Sequence, residues 1–425
     1  MNKHIESKSS NEFEVRDISL AGQGKLNIEY AESKMAIMLS LRERFRKEQT
    51  FRGMTIGLAL HVTKETAVLV RTLVAGGAKV AIAGCNPLST QDDVAAALAS
   101  EGIAVFAKKG ESREEYYRYI EKIISYSPDI TIDDGCDLVT ALHTKHTDKL
   151  SKLVGGCEET TTGVIRLRAM EKDKALRVPM IAVNDNKTKH LLDNYYGTGQ
   201  STIDGILRAT NTLIAGKTFV VAGYGDCGKG LSLRAKGLGA NVIVTEVDPF
   251  CALQAKLDGF RVMPMAEAAP LGDIFVTVTG NKHVIRLEHV KAMKDGVIVA
   301  NSGHFDIEID VAAMDKAGKK RRIRPSLEEY TVDGKKIFLC GEGRLVNLAA
   351  AEGHPSEVMA TSFAGQSLAC EYLVKNKGKL KIAVHTLPEE IDDRIAALQL
   401  AALGVKIDTM TEEQKKYMAS WQEGT

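Results

Sequence analysis

Short apolar runs alternate with helical stretches along almost the whole of this chain, and few folds accommodate that pattern. The runs are rich in β-branched residues and show little polar alternation, as expected for strands that are covered on both faces. Such an alternation predicts parallel α/β sheets with crossover helices. The predicted strands form two series, residues 55–60, 79–83, 103–106, 130–133 and 178–183, followed by residues 218–222, 241–245, 274–279 and 297–300.

The two series predict two domains, because a chain of 425 residues is too long for one hydrophobic core. A helix at about residues 202–214 lies between them and is expected to end at Gly216. The predicted fold is α/β, with two Rossmann-like, doubly wound parallel-sheet domains and a small C-terminal helical segment. The expected divisions are residues 1–200 completed by about 350–385, residues 201–349, and residues 386–425, with further helices at 355–374 and from Thr411 onward.

The charge balance argues against nucleic acid and membrane surfaces as partners. Lys plus Arg number 56 and Asp plus Glu number 55. The basic run at 319–322, with Arg324, has no interleaved aromatic residue and is interpreted as a solvated loop. No run of ~18 apolar residues is available to span a bilayer, and the first fourteen residues are too polar for a signal peptide or an anchor.

The cysteines predict a reducing compartment. All seven are scattered along the chain, and no two form a Cys-x-x-Cys pair. Neither a disulfide framework nor a zinc site is expected from this pattern. We therefore predict a cytoplasmic protein with reduced thiols and no bound metal.

A glycine-rich turn follows the first predicted strand of the second series. Gly223, Gly225 and Gly228 have the Gly-x-Gly-x-x-Gly spacing that lets a backbone turn approach a pyrophosphate, and a helical stretch follows. Glu246 ends the next predicted strand, where a carboxylate binds the ribose hydroxyls of NAD and repels the extra phosphate of NADP. The sequence therefore predicts NAD as the cofactor. Gly230 stands where a triphosphate-binding loop needs a hydroxyl, which argues against a nucleotide triphosphatase.

Polar segments follow most of the predicted strands, where ligands gather at the carboxyl ends of an open α/β sheet. They carry more histidine, carboxylate and amide side chains than a sheet edge needs. These segments span residues 61–66, 85–92, 133–137, 158–163, 189–194, 301–306, 343–348 and 353–356.

Together with the glycine turn, these segments closely resemble the S-adenosyl-L-homocysteine hydrolase family, from about Asn27 to the end of the chain. The resemblance implies a bound NAD that first oxidises the 3′-hydroxyl of the nucleoside, so that a base can remove the proton on the 4′ carbon. Homocysteine then leaves the 5′ carbon, water adds, and the stored hydride reduces the ketone again. The implied reaction is reversible hydrolysis of S-adenosyl-L-homocysteine to adenosine and L-homocysteine, with S-inosyl-L-homocysteine as an alternative substrate.

The resemblance assigns the 3′ end of the nucleoside to Lys189, Asp193 and Asn194. The spacing of Lys189 and Asp193 alone favours an ordinary salt bridge on a helix surface. A lysine beside other polar groups can, however, be tuned to accept the 3′-hydroxyl proton. Glu159 matches a carboxylate near the ribose hydroxyls.

Proton transfer at the 4′ and 5′ positions is assigned by the resemblance to His61 and Asp134, and which of the two is the base stays open. A single histidine after a strand is, by itself, more often a structural residue. His304 and His354 each follow a glycine, which lets the backbone approach a ligand closely. The resemblance implies that both line the substrate site and that the His354 loop opens and closes it.

Thr63 and Glu65 match the family's purine-contacting positions, and Gln91 is also assigned to substrate binding. A carboxylate at position 65 accepts from the amino group of adenine or from the ring N–H of hypoxanthine, so both bases stay open. The resemblance assigns cofactor binding to a further set of residues: Thr160, Thr161, Thr162, Asn194, Gly223, Gly225, Asp226, Gly228, Glu246, Asn281, Gly303, Asn347 and His354.

The chain departs from the common family pattern at three places. It ends soon after Trp421 without a Lys- and Tyr-containing tail that contacts the NAD of a neighbouring subunit, Thr198 replaces a frequent cysteine, and Lys64 adds an unusual charge beside Glu65. The resemblance otherwise implies a homotetramer that acts on a small-molecule substrate. Two alternatives are an NAD-dependent 2-hydroxy acid dehydrogenase, which needs an Arg and a Glu–His pair in its cofactor half, and an inactive NAD-binding regulatory relative.

Overall fold

The computed structural model describes residues 12–422, and these residues form two eight-stranded sheets. Residues 1–11, which belong to the segment predicted to be neither a signal peptide nor an anchor, lie outside the described residues. Among the helices of residues 12–422, none is long and apolar enough to cross a bilayer.

The first sheet is parallel throughout. Its strands are β1 (Glu14–Val15), β2 (Thr55–Ala59), β3 (Lys79–Ala83), β4 (Ala104–Ala107), β5 (Ile130–Asp133), β6 (Gly155–Glu158), β7 (Met180–Ala182) and, from the C-terminal part of the chain, β16 (Val384–His385). Their spatial order is β1-β4-β3-β2-β5-β6-β7-β16. The order reverses between β2 and β5, and a crevice for ligands opens at such a reversal, at the carboxyl ends of the strands.

The second sheet repeats this arrangement and adds an antiparallel edge. Its strands are β8 (Thr218–Ala222), β9 (Asn241–Thr245), β10 (Arg261–Val262), β11 (Ile274–Thr277), β12 (Val297–Asn301), β13 (Lys319–Arg324), β14 (Leu327–Val332) and β15 (Lys335–Cys340). The spatial order is β10-β9-β8-β11-β12-β15-β14-β13. The first six strands pair in parallel, and β14 and β13 are added at the edge through antiparallel pairings. The reversal falls between β8 and β11, so the predicted pair of Rossmann-like, doubly wound sheets is confirmed.

Successive residues of the central strands pack on opposite faces, because side chains alternate along a strand. Leu58 and Ile82 lie in one core of the first sheet, whereas their neighbours Ala59 and Ala83 lie in the other. The second sheet is likewise covered by two cores. Burial on both faces explains why the strands are apolar along their whole length.

Helices connect the strands, and a π-helical turn at His190–Gly197 leads from the first sheet to the second. The α-helices are α1 (Ala21–Lys34), α2 (Ala36–Glu48), α3 (Lys64–Ala75), α4 (Asp92–Ser100), α5 (Arg113–Ser125), α6 (Asp137–Thr144), α7 (Thr161–Lys172), α8 (Lys187–Lys189), α9 (Thr198–Thr210), α10 (Asp226–Gly237), α11 (Pro249–Leu257), α12 (Met265–Ala268), α13 (Leu287–Ala292), α14 (Val311–Ala317), α15 (Val346–Ala349), α16 (Ser356–Lys375), α17 (Glu389–Ala402) and α18 (Glu412–Met418).

The connecting helix α9 differs from its prediction. It begins and ends about four residues earlier, because Asn211 adopts the left-handed conformation (φ 53°) that terminates a helix. Gly216 also has a positive φ of 78°, but it turns the chain into β8. The expected helix stop at Gly216 is therefore wrong.

The basic run at 319–322 is not the predicted loop but the exposed edge strand β13. It pairs antiparallel with β14, and Arg321 and Arg322 reach Glu329 and Glu328 on that strand. Cross-strand ion pairs of this kind favour pairing, and charged side chains protect an edge strand against further association. The expectation that this run is solvated is confirmed.

The C-terminal part of the chain returns to the first domain. β16 extends the first sheet beside β7, and α17 packs on α16 with Ile395 fully buried in the first core. Asp392 accepts hydrogen bonds from the backbone N–H groups of Lys187 and Thr188. Residues 386–402, predicted to belong to a separate C-terminal segment, thus pack on the first domain, whereas α18 is exposed throughout. The other domain boundaries stay predictions.

Candidate active site

A large cleft of about 1260 Å³ lies where the carboxyl ends of both sheets face each other. Its volume exceeds the several hundred Å³ of a typical small-molecule pocket, so it has room for a dinucleotide together with a second ligand. Of the predicted site residues, the cleft is lined by all but Gln91 and Gly228. The lining set is His61, Thr63, Glu65, Asp134, Glu159, Thr160, Thr161, Thr162, Lys189, Asp193, Asn194, Gly223, Gly225, Asp226, Glu246, Asn281, Gly303, His304, Asn347 and His354.

Gln91 and Gly228 have other positions. The side chain of Gln91 accepts from the backbone N–H of Lys64 and donates to the backbone carbonyl of Glu352. Gly228 packs under the glycine turn, and a Cβ atom there would lie only 2.0 Å from the carbonyl oxygen of Gly223. Gln91 therefore holds backbone segments together, and Gly228 takes the helix-packing place expected of the third glycine.

Lys189 ends α8 at the centre of the cleft and is almost completely buried. Its Nζ donates to Asn194 Oδ1 at 2.8 Å and Asn184 Oδ1 at 3.2 Å, and lies 3.5 Å from Asp193 Oδ2. Burial lowers the pKa of Lys189, but the carboxylates of Asp193 and Glu159 more than offset it and raise the pKa above its usual value. These contacts favour the ammonium form, in which Lys189 donates hydrogen bonds, and its role in accepting the 3′-hydroxyl proton stays a prediction.

Asp193 joins Lys189 to the segment that follows α15. One carboxylate oxygen faces Lys189 and the other pairs with Nδ1 of His354, whose Nε2 lies 3.3 Å from Thr198 Oγ1. Burial opposes the charge of Asp193, yet Lys189 and His354 hold its pKa below the usual range. Asp193 is therefore an anion between two cationic or donor groups.

Glu159 follows β6 and is held by polar side chains that the sequence did not reveal as site residues. Ser362 Oγ and Gln366 Nε2 on α16 each donate to one of its carboxylate oxygens. Burial raises the pKa of Glu159 to about 7, although Lys189, 3.9 Å away, lowers it. Burial therefore favours the protonated form of Glu159 more than that of an exposed glutamate. Ser362 and Gln366 are four residues apart, and polar side chains at that spacing on a buried helix are the signal that could have found them.

Asp134 lies between two histidines. Its Oδ2 is 3.3 Å from His61 Nε2 and 3.6 Å from Cys85 Sγ, and its Oδ1 is 3.4 Å from His304 Nδ1. Burial lowers the pKa of His61 to about 4, against the attraction of Asp134, so the ring is neutral at pH 7. The sequence predicted His61, Asp134 and His304 but missed Cys85.

Ser89 orients the His61 ring through a hydrogen bond to Nδ1. Its hydroxyl donates to the backbone carbonyl of Asn86 at 3.0 Å, and Oγ is 2.7 Å from His61 Nδ1. Because that hydroxyl hydrogen is already used, we infer that Nδ1–H donates to Ser89 and that Nε2 faces Asp134 as an acceptor. Nε2 therefore carries no proton and can accept one beside Asp134 Oδ2.

The glycine turn fits a dinucleotide. Gly223 has a φ of 109°, which only glycine adopts readily, and the Cβ side of Gly225 is open. Gly225 directly precedes α10, so the N–H groups of the helix N-terminus face the cleft, where a pyrophosphate would be stabilised. Glu246 follows β9 and accepts from the backbone N–H groups of Tyr224 and Val247, which places its carboxylate beside the turn. These residues fit NAD.

Within residues 12–422, one group of side chains has the spacing of a metal site. Donor atoms of His61, Cys85 and Asp134 lie within 4.8 Å of one another. Burial and the nearby Asp134 carboxylate keep the pKa of the Cys85 thiol well above its usual value, so the sulfur is a protonated, poor ligand at neutral pH. The absence of a metal stays a prediction.

Two doubly wound sheets, a dinucleotide turn and a buried cluster of lysine, carboxylates and histidines in one cleft define an NAD-dependent enzyme. Two family models match the chain, "S-adenosyl-L-homocysteine hydrolase" over residues 12–151 and "S-adenosyl-L-homocysteine hydrolase, NAD binding domain" over residues 194–353. The chain belongs to the S-adenosyl-L-homocysteine hydrolase family.

Curated relatives match it over nearly its whole length. An adenosylhomocysteinase of Aquifex aeolicus is 59% identical over 97% of this chain and 100% of its own. An S-inosyl-L-homocysteine hydrolase of Methanocaldococcus jannaschii is 58% identical over the same shares, as is an adenosylhomocysteinase of Saccharolobus solfataricus. The dehydrogenase alternative is therefore wrong. The adenosylhomocysteinases and the S-inosyl-L-homocysteine hydrolase are about equally similar to this chain. Overall identity therefore does not distinguish adenine from hypoxanthine as the base of the substrate.

Proposed function

We propose that this enzyme hydrolyses S-adenosyl-L-homocysteine reversibly to adenosine and L-homocysteine, with NAD retained in the cleft. The observation that carries the proposal is one cleft that joins the glycine turn, the Lys189 cluster and the His61–Asp134 pair. Direct attack on a thioether would need none of these groups together. A nucleoside oxidised at one carbon and deprotonated at the next needs all three.

The cofactor, when bound, supplies reversible hydride transfer at the 3′ carbon of the nucleoside. We propose that the turn at Gly223–Gly228 and Glu246 hold its pyrophosphate and adenosine half, and that Thr160, Thr161, Thr162 and Asn347 hold its nicotinamide half. These threonines begin α7 on the first sheet, opposite the glycine turn, so both domains would contribute to its binding.

At the 3′ end, we propose that Lys189 stabilises the negative charge that develops on oxygen as the hydroxyl loses its proton. Its ammonium charge is preserved by Asp193, and its direction is fixed by Asn184 and Asn194. Glu159, with a pKa of about 7, is the group in this cluster that can take up and return a proton near neutral pH.

At the 4′ and 5′ positions, we propose that His61 and Asp134 act as one acid–base pair. The pair accepts the 4′ proton between His61 Nε2 and Asp134 Oδ2, which are 3.3 Å apart, and then delivers that proton to the leaving sulfur. The second histidine, His304, holds the other oxygen of Asp134 and so keeps the carboxylate in place.

For the base, we propose adenine. Glu65 Oε1 is occupied by Ser356 Oγ at 2.6 Å and by Lys64 Nζ at 3.4 Å, which leaves Oε2 for the ligand. An ionised carboxylate only accepts hydrogen bonds. Adenine presents a two-hydrogen amino donor at position 6, whereas hypoxanthine presents a carbonyl oxygen there. S-Inosyl-L-homocysteine is the alternative, through the ring N–H of hypoxanthine.

The test is condensation of L-homocysteine with adenosine and inosine side by side, in wild type and Glu65→Gln. We expect adenosine to be preferred by wild type, and the preference to fall by about tenfold or more in E65Q, because the amide can donate to the hypoxanthine carbonyl. A wild-type preference for inosine contradicts the base assignment. Failure with both nucleosides contradicts the function.

We further propose a homotetramer in the cytoplasm, with neither nucleic acid nor membrane as partner. Among the described residues all seven cysteines are free, as in a reducing compartment. Large apolar side chains are exposed from Leu403 to Trp421, and the seven-residue helix α18 in this segment is too short to be stable alone. A second copy of the chain would cover these side chains and stabilise that helix.

A further inference from the structure

Lys64 carries an ammonium group at a position where a helix disfavours it. It is the first residue of α3, at the positive end of the helix dipole, and its side chain is only 12% exposed. Nζ lies 2.9 Å from Glu352 Oε2 and 3.4 Å from Glu65 Oε1. Burial lowers the pKa of Lys64, but these two carboxylates raise it above its usual value. The charge is therefore held by contacts to both glutamates.

Glu352 belongs to the segment that leads from α15 in the second domain back to α16 in the first. Besides its ion pair with Lys64, its backbone carbonyl accepts from Gln91 Nε2, while Gln91 Oε1 accepts from the backbone N–H of Lys64. Arg208 on α9 lies 3.4 Å from the second oxygen of Glu352. Lys64 and Gln91 thus attach this segment to the start of α3 through both side chain and backbone.

The other end of the segment is attached at the same place. Ser356, the first residue of α16, donates to Glu65 Oε1 at 2.6 Å. Between the two attachments, Gly353 has a positive φ of 86°, and His354 reaches Asp193 in the Lys189 cluster. The position of His354 over the cleft therefore depends on the Lys64–Glu65 pair.

We propose that Lys64 is a positioning residue that couples purine binding at Glu65 to the placement of residues 352–356 over the substrate. This inference rests on the proposed function in that it takes Glu65 as the base contact. When a purine binds to Glu65, it orders the carboxylate that Lys64 and Ser356 also contact. Residues 352–356, which include His354, are then held over the cleft. Loss of the ammonium group frees the segment, and nucleoside leaves the cleft faster.

The test compares Lys64→Met with Glu352→Gln, the double variant and a Lys145→Met control, in the NAD-containing enzyme. Lys145 is an exposed lysine of the first domain outside the cleft. We expect K64M to weaken adenosine binding and raise its KM about fivefold, with little change in kcat, as for one partly buried ion pair. High ionic strength should weaken adenosine binding to wild type but not to K64M.

The loss of affinity in the double variant should be smaller than the sum of the two single losses, because both substitutions remove the Lys64–Glu352 contact. Wild-type adenosine affinity in K64M, or strict additivity with E352Q, overturns the proposal. Bound NAD and melting temperature show whether each variant is folded. If K64M does not fold, E352Q, which changes an exposed carboxylate, provides the affinity and salt tests. Equilibrium binding of adenosine needs no turnover, so these results stay distinct from failure of the proposed reaction.

Discussion

Burial and the neighbouring charges have opposite effects on the pKa of Lys189, and the effect of the charges is larger. A lysine with so little exposure would ordinarily lose its proton, yet Asp193 and Glu159 keep its pKa above the usual value. Removing one member of such a buried group leaves an unpaired charge, which costs about 3–5 kcal/mol. The cluster therefore makes the 3′ end of the site sensitive to each of its residues.

The Lys189→Ala substitution tests whether Lys189 stabilises the charge that develops on the 3′-oxygen. We expect the variant to retain bound NAD but to lose reduction of that NAD by adenosine by at least ~100-fold, because the developing charge on the 3′-oxygen has no cation beside it. The measurement is single-turnover absorbance of NADH. Lys187→Ala, in the same short helix but exposed and paired with Glu389, is the matched control and should behave as wild type. Retained reduction in K189A would remove Lys189 from the oxidation step.

Among the elements, the glycine turn was the most predictable from sequence. Its spacing, the strand before it, the helix after it and Glu246 at the end of the next strand are local features, and all of them appear in the structure as predicted. Other elements were not predicted. β6 reads Gly-Gly-Cys-Glu, which has almost no strand propensity, and becomes a strand only because β5 and β7 flank it.

The tightness of that turn gives a prediction for α10. Gly228→Ala should lose bound NAD, because the new Cβ would lie 2.0 Å from the Gly223 carbonyl oxygen and force the turn away from α10. The NAD content of purified protein, measured after denaturation, checks this. Gly237→Ala, in the same helix with no atom within 4 Å of its Cβ position, is the control. Equal NAD content in the two variants would contradict the packing role of Gly228.

The site was less predictable than the fold, because its geometry comes from contacts between distant parts of the chain. The sequence motifs predicted His61, Asp134, Lys189 and 17 other residues that line the cleft, because most of these motifs lie near the carboxyl ends of parallel strands. The contacts of α16 with Glu159 and Glu65 join residues about two hundred or more positions apart, and no local pattern predicts them. The pKa of Lys189 also depends on such contacts, which the sequence does not reveal.

In the whole molecule, two similar sheets form the walls of one cleft, and several apolar side chains of the C-terminal segment are exposed. Leu403, Ile407, Met418 and Trp421 are each more than 60% exposed. Apolar side chains concentrated in this way mark a surface that another chain covers. We therefore expect this exposed segment to form subunit contacts in the proposed tetramer.

Light scattering of full-length protein and of a variant that ends after Leu403 tests that hypothesis. We expect full-length protein at about four times the chain mass of 46.1 kDa, and a smaller assembly after truncation. The truncated chain should keep its NAD-binding turn, because every residue of α18 is exposed in one chain. An unchanged tetramer after truncation would place the subunit contacts elsewhere.

The claim that a resident cofactor oxidises the nucleoside in a net hydrolysis can be tested in one measurement. Enzyme carrying bound NAD is mixed with stoichiometric adenosine or 3′-deoxyadenosine without homocysteine, and NADH absorbance is followed. We expect adenosine to reduce the bound cofactor and 3′-deoxyadenosine, which has no 3′-hydroxyl to oxidise, to leave it oxidised. Equal reduction by both nucleosides, or no reduction by either adenosine or inosine, would contradict it.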